Sequence, residues 1–127
     1  MKVKITEAVE FISVYPIIKE AKLKINTLYK ISKYFDICNK ERDFYIENLN
    51  KIFDEYGEKD ESGNLKLSED KEGIIIKPEL LPECNQKLAD LMAIEIDIPV
   101  DPISLSEIES LELDYSTFQR FKPFITE

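Results

Sequence analysis

The chain of 127 residues contains no histidine and no tryptophan, and it has only three glycines. Histidine is the commonest general base near neutral pH and the commonest zinc ligand, so its absence removes the usual basis for both kinds of site. No glycine-rich loop that could cradle a phosphate is present either. We therefore expect a protein that is not an enzyme and that uses no cofactor and no metal.

Cysteine is also scarce, with one residue at Cys38 and the other at Cys84. Both lie within apolar helical patterns and lack the short paired spacing of a disulfide framework or a metal site. We expect two buried thiols, as is usual in the cytosol. Neither thiol has a histidine that could activate it as a nucleophile.

Long hydrophobic runs are missing, and none approaches the roughly 20 residues that a membrane-spanning helix needs. The stretch Met1–Ile5 lacks the apolar core of a signal peptide. These two absences predict a cytoplasmic protein without membrane contact.

Basic residues are outnumbered, with 17 Lys and Arg against 26 Asp and Glu, a formal net charge of −9. Direct binding to a phosphate backbone is therefore disfavoured. An acidic protein can instead meet basic protein surfaces, including the nucleic-acid channels of nucleases. Solubility alone is the other explanation of the same charge.

The longest uninterrupted stretch, Ile25–Tyr56, predicts a single helix, because it has no proline and no glycine until Gly57. Its residues at alternating steps of three and four form a heptad seam: Leu28, Ile31, Phe35, Cys38, Arg42, Tyr45, Leu49, Ile52 and Tyr56. Such a helix spans about 45–50 Å. That length exceeds a small domain, so we expect part of the helix to contact a partner.

The amino half of this helix carries the residues that we predict to bind a partner. They are Tyr29, Tyr34, Phe35 and Arg42. Tyr and Phe are favoured at interfaces, and a polar residue in a heptad seam can set the register of a helical pairing, with another protein or with a second copy of the chain. The alternative is that the rings close over the first helix and that Arg42 extends to a neighbouring carboxylate.

The predicted fold class is mostly α with some β, in one domain. Residues 1–57 should form an antiparallel helical hairpin: a short strand or extended lead-in at 2–5, a first helix capped by Thr6 and kinked or split at Pro16, and then the long helix. Gly57 occupies the position after a helix end where glycine is typical.

Residues 58–127 should form a small α+β cap. The runs 73–77 and 95–100 predict two strands that pair as a ribbon, with a helix between them. Ser104 and Glu107 form a capping box for a short helix, and Asp114 caps a last one.

The acidic segment Glu58–Glu69 has two interpretations. Oxygen-bearing residues follow the spacing of an EF-hand calcium loop: Glu58, Asp60, Ser62, Asn64 and Glu69. However, the first ligand is Glu instead of Asp, and no helix follows. A solvated turn explains the same composition, and we therefore predict no metal here.

Several segments together resemble a family of small proteins encoded by phages and prophages of low-GC bacteria. The resemblance covers Lys24–Lys33, Tyr56–Asn64, the Asn85–Leu88 helix before Glu95–Ile98, and Phe124-Ile125. It implies a small phage protein without established catalytic residues, so it assigns no site. Asn26-Thr27 and Pro16 depart from the pattern.

The function predicted from these observations is non-enzymatic. We expect a phage-encoded interaction protein that inhibits a host protein, such as a CRISPR-type defence nuclease. The alternative is a virion or tail-assembly protein, or a chaperone, that acts through the same long helix. The predicted partners are a host or phage protein, or a second copy through the long helix.

Overall fold

The computed structural model describes residues 1–71 and 73–127, and it is mostly α-helical with a small amount of β-structure. Four α-helices and four short strands follow one another along the chain: β1 Lys2–Lys4, α1 Ile5–Ile18, α2 Ile25–Tyr56, α3 Leu81–Met92, β2 Glu95–Asp97, β3 Ile103–Ser104, α4 Tyr115–Phe121 and β4 Ile125–Thr126. Single 3₁₀ turns cover Pro78–Leu80, Leu105–Ile108 and Lys122–Phe124. The predicted fold class is confirmed.

The long helix α2 has the bounds that the sequence predicts, from Ile25 to Tyr56. Every residue of the heptad seam is buried or half-buried, so the seam is the inward face of the helix. Burial is greatest near the amino end, where Ile31, Tyr34 and Cys38 are almost completely shielded from solvent. Between residues 39 and 51, every side chain is exposed or half-buried.

The chain forms two compact units. The first unit combines residues 1–43 with 94–127, and the second unit consists of residues 44–93. This division differs from the predicted one at residue 57, because α2 contributes to both units.

Aromatic rings form the core of the first unit. Phe11 of α1 is fully buried, with ring-centroid distances of 4.6 Å to Phe124, 6.0 Å to Phe121 and 6.2 Å to Tyr34. The rings of Tyr34 and Phe124 are 5.0 Å apart. Large rings at such distances bury much apolar area and add a favourable edge-to-face or offset geometry. This cluster joins three segments that are distant in sequence.

The antiparallel sheet of the first unit pairs β1 with β2, with Val3 opposite Ile96. The strand predicted at 95–100 therefore exists over Glu95–Asp97, but its predicted pairing with residues 73–77 is wrong. The partner is the amino-terminal segment, because its alternation places Val3 on the buried face beside Ile96. A second pair, β3 with β4, is parallel.

Helix α1 begins at Ile5, so Thr6 lies inside the helix. The prediction that Thr6 caps the helix is therefore wrong. The backbone N–H of Lys4 donates to the carboxylate of Glu7 at 2.8 Å, and this bond stabilises the amino end. Pro16 does not split the helix, which continues to Ile18. A proline so close to the carboxyl end removes only one late hydrogen bond, so the helix tolerates it.

The second unit contains a small closed arrangement of three extended segments. The N–H of Glu58 donates to the carbonyl of Ile75 at 2.8 Å, the N–H of Lys66 donates to the carbonyl of Glu58 at 2.8 Å, and the N–H of Ile75 donates to the carbonyl of Lys66 at 3.0 Å. Each segment thus bonds to the two others. The predicted strand at 73–77 is present only as isolated bridges, at Ile74 and Ile76.

Gly57 is required by close packing and not by backbone conformation. A Cβ atom at this position would lie 2.6 Å from the Leu65 side chain and 2.6 Å from the Phe53 carbonyl oxygen. Among the described residues, a positive φ occurs at Gly63 and Lys71 but not at Gly57. Gly57 directly follows the last residue of α2, as the sequence predicts.

The helix signals in the carboxyl-terminal part are largely confirmed. Pro82 lies in the first turn of α3, and Asp114 caps α4 by accepting from the N–H of Thr117 at 2.7 Å. The capping box of Ser104 and Glu107 is present, although the element that it opens is a 3₁₀ turn. Across the described part of the chain, no helix combines the length and the hydropathy that crossing a bilayer requires.

Candidate functional site

A cleft of about 990 Å³ lies on the first unit, along the amino half of α2. One wall is α2 itself, and the other is the segment 99–101 together with Glu107. The α2 wall is formed by side chains that recur at helical spacing: Asn26, Tyr29, Lys30, Lys33, Asp36, Ile37 and Lys40. This face lies opposite the heptad seam on the helix. The seam side of α2 therefore packs against the rest of the chain, and the opposite side lines the cleft.

Tyr29 contributes an exposed aromatic ring to this wall, with 61% of its surface accessible to solvent. The ammonium group of Lys33 lies 5.3 Å from the centre of the Tyr29 ring, within the range of a cation–π interaction. The adjacent turn of the helix thus stabilises the ring in an exposed position. Of the four predicted partner-binding residues, Tyr29 is the one that lines the cleft.

Tyr34 is placed in the core and not on the surface. Its side chain is fully buried, and its hydroxyl donates to the backbone carbonyl of Asp101. Burial raises the pKa of Tyr34, and the negative charges of Glu107 and Asp101 raise it further. The hydroxyl therefore stays protonated and keeps donating to Asp101, which fixes the second wall of the cleft.

Glu107 connects α2 to the second wall through four contacts. Its carboxylate accepts from the N–H of Ser104 at 2.8 Å, from the Ser104 hydroxyl at 3.0 Å and from the Thr27 hydroxyl at 3.0 Å. The ammonium group of Lys30 lies 3.5 Å from the same carboxylate. The pKa of Glu107 is lowered, mainly by the hydrogen bond from the Ser104 backbone. Its negative charge is thus largely compensated within the chain.

Phe35 and Arg42, the other two predicted residues, lie outside the cleft. The Phe35 ring stacks on Tyr15 of α1 at 4.1 Å, and it is half-buried. The guanidinium of Arg42 lies 3.7 Å from the Asp43 carboxylate. Its buried Nε atom has no hydrogen-bond partner among the described residues. The sequence prediction thus combined residues that belong to four different surroundings.

Two parts of the cleft were not predicted from the sequence, namely the lysines of the α2 wall and the segment Pro99–Asp101. The lysines could have been found, because Lys30, Lys33 and Lys40 follow Tyr29 on the face opposite the heptad seam. The second wall had no comparable signal. Its position depends on the Tyr34 hydroxyl, which bonds to a residue 67 positions away in the chain.

The two cysteines are buried thiols, as the sequence predicts. Burial raises the pKa of Cys38 to about 12, with a further contribution from the charge of Glu41. Burial also raises the pKa of Cys84. Since the thiolate is the nucleophilic form, neither thiol is activated for attack at neutral pH.

The acidic segment that resembles a calcium loop forms a turn closed by its own hydrogen bonds. The Asp60 carboxylate accepts from the N–H groups of Ser62 and Asn64, at 2.9 and 3.0 Å. A β-bridge pairs Lys59 with Leu65 across the turn. Within residues 1–71 and 73–127, no group of three or more Cys, Asp or Glu side chains is arranged to hold a metal ion.

Comparison of the chain with models of protein families, with curated protein sequences and with solved structures finds no match. The resemblance to small phage proteins therefore rests only on the residues quoted for it above.

Proposed function

We propose that this chain is a non-enzymatic interaction protein that binds another protein through the cleft of its first unit. The observation that carries the proposal is the exposed Tyr29 ring, fixed at the edge of a cleft of about 990 Å³. Exposed tyrosines often anchor interfaces, because they bury a large area while losing little side-chain entropy.

The cleft walls support this role because each is fixed by contacts within the chain. The Tyr34 hydroxyl bonds to Asp101, and the Glu107 carboxylate bonds to Thr27. A surface that is already ordered loses less conformational entropy when a partner binds, so more of the contact energy appears as affinity.

The narrower proposal is that the partner is a host protein that the chain inhibits, such as a CRISPR-type defence nuclease, in the cytoplasm of the host cell. The net charge of −9 supports this choice through the long-range attraction between an acidic chain and a basic nuclease, and it does not describe the cleft itself, which is lined by Lys30, Lys33 and Lys40. A role in virion or tail assembly, or as a chaperone, is the alternative. A second copy of the chain, bound through the long helix, is a further possible partner.

The test is capture of partners from a lysate of a low-GC bacterium, with identification by quantitative mass spectrometry. We compare the wild type with Tyr29→Ala and with Tyr115→Ala. Tyr115 is a matched control, because it is also a tyrosine of the first unit, is 78% exposed and lies outside the cleft. We expect a partner that the wild type and Tyr115→Ala retain and that Tyr29→Ala loses.

The identity of that partner separates the two proposed roles. A nuclease whose turnover falls as the purified protein is added supports inhibition, whereas structural subunits support assembly. Sedimentation of the wild type tests self-association. If Tyr29→Ala retains the same proteins as Tyr115→Ala, the cleft is not the contact surface and the proposal fails.

A further inference from the structure

The segment that builds the α2 wall has a charge opposite to that of the whole chain. Residues 19–40 contain six lysines and only two acidic residues. The rest of the chain contains 24 acidic residues and 11 basic ones. The net charge of −9 therefore does not describe the surface around the cleft.

The lysines of this segment gather around two neighbouring hollows of the first unit. Lys30, Lys33 and Lys40 line the cleft. A second hollow of about 460 Å³ is lined by Lys22 and Lys24, and it shares Glu107 with the cleft. Five of the six lysines thus border one connected region.

The acidic groups of the cleft offset this charge only in part. Glu107 already accepts hydrogen bonds from Ser104 and Thr27 and pairs with Lys30. The carboxylates that remain belong to Asp36 and Asp101. Lys33 and Lys40 face them in the cleft, and in the adjoining hollow Lys22 and Lys24 outnumber the one additional carboxylate, that of Glu109.

The apolar groups of the cleft lie next to these cations. Tyr29, Ile37, Pro99 and Val100 contribute to the lining. An occupant that complements both the apolar lining and the lysines carries an apolar side chain flanked by carboxylates. The chemistry of the cleft thus differs from that of a purely hydrophobic groove.

Resting on the function proposed above, we infer that the occupant of this cleft is an acidic segment of the partner protein. One of its apolar or aromatic side chains packs between Tyr29 and Val100, and its carboxylates face Lys33 and Lys40. Such complementarity of charge increases the rate of association and selects against basic segments.

A nucleic acid is a less suitable occupant, although it is also an anion. Its phosphates extend beyond the cleft, and outside residues 19–40 the chain carries 24 acidic and 11 basic residues, which disfavours a long polyanion. A short acidic segment meets mainly the local field of the lysines. The test must therefore distinguish binding of single-stranded DNA from binding of an acidic peptide.

The experiment selects binders to the full chain from a display library of short random peptides, with the Tyr29→Ala protein as a counter-selection. We expect enriched peptides rich in Asp and Glu around one apolar or aromatic residue. Replacing Lys33 and Lys40 together by Glu should weaken their binding by at least about ten-fold. Lys51→Glu should weaken it less than about two-fold, because this exposed lysine of α2 lies outside the cleft.

Three other results would overturn the inference, and they differ in what they mean for the proposed function. Enriched peptides that are basic or uncharged but depend on Tyr29 would contradict the acidic occupant and leave the cleft as a protein-binding site. Peptides that bind equally well to Tyr29→Ala, or no enrichment at all, would contradict both. Single-stranded DNA that binds as tightly as the peptides, and that depends on Lys33 and Lys40, would make the occupant a nucleic acid.

Discussion

The first unit closes its core with side chains from distant parts of the chain, whereas the second unit is built from one continuous segment. In the first, Phe11, Tyr34 and Phe124 pack together although they come from three separate elements. In the described residues of the second, the nearly completely buried side chains are those of Ile52, Tyr56, Cys84 and Leu91.

This difference has a physical origin in loop closure. Bringing residues 1–43 and 94–127 together costs chain entropy, and local hydrogen bonds do not offset this cost. The side chains that pack the two segments together must therefore bury much apolar area. The second unit forms mostly local backbone pairs around residues 57–76 and needs less burial to do so. Dense packing therefore accompanies the non-local part of the fold, and the cleft belongs to that part.

The two units also differ in charge. The second unit has 12 acidic and six basic residues among its 50, and the first unit has 14 acidic and 11 basic ones among its 77. Within the first unit, residues 1–43 have nine basic and six acidic residues, whereas residues 94–127 have two basic and eight acidic ones. A protein with a strongly acidic composition can thus present a locally basic surface. Bulk charge is a guide to solubility, and the contact surface has to be located before its partner is inferred.

The largest expected effect comes from truncating the aromatic core of the first unit. Phe11→Ala should lower the free energy of unfolding by about 3–5 kcal/mol, because a fully buried ring leaves a cavity among other rings. Phe44→Ala in the second unit should cost less than about 1 kcal/mol, since Phe44 is 46% exposed. Denaturant unfolding measures both. Equal costs would mean that the two units are packed alike.

A smaller effect is expected when the hydroxyl of Tyr34 is removed. Tyr34→Phe should cost about 1 kcal/mol, because the carbonyl of Asp101 loses its donor while the ring remains packed. Tyr115→Phe is the control, since Tyr115 is 78% exposed, and it should leave the unfolding midpoint unchanged. If the two variants unfold alike, the bond to Asp101 does not fix the wall of the cleft.

The smallest effect concerns pH. Because the pKa of Glu107 is lower in the folded chain than its ordinary value of 4.5, its contribution to stability is present above that value and is lost as the pH falls through the folded pKa. The free energy of unfolding of Glu107→Gln should therefore decline less steeply below pH 4.5 than that of the wild type. Glu109→Gln, at an exposed position after the same turn, should retain the slope of the wild type.

Local signals predicted much of the helical structure. The bounds of α2 follow from the absence of proline and glycine, and the caps at Ser104 and Asp114 follow from local side-chain bonds. Strand pairing was not predictable in this way, because the partner of Glu95–Asp97 lies at the amino end of the chain. Two-residue periodicity identifies a strand, but it does not determine which other strand pairs with it.

The candidate site was predictable in part. Tyr29 and Tyr34 are both tyrosines in one helix, and composition does not separate them. Their positions around the helix axis do separate them. Tyr34 lies about 60° around the axis from the seam residue Ile31, whereas Tyr29 lies about 160° from it. Applying that angle to each ring would have placed Tyr34 in the core. The segment 99–101 could not be found, because only tertiary contacts bring it to α2.

The cleft lies on the tightly packed part of the molecule, and a comparison of two stretches of helix α2 tests this placement. Native-state hydrogen exchange, read at individual amides, compares residues 30–38 with residues 42–50 of the same helix. We expect the first group to exchange at least about ten-fold more slowly, because Ile31, Tyr34 and Cys38 are buried there. Uniform exchange along the helix, or slower exchange in the second group, would contradict it.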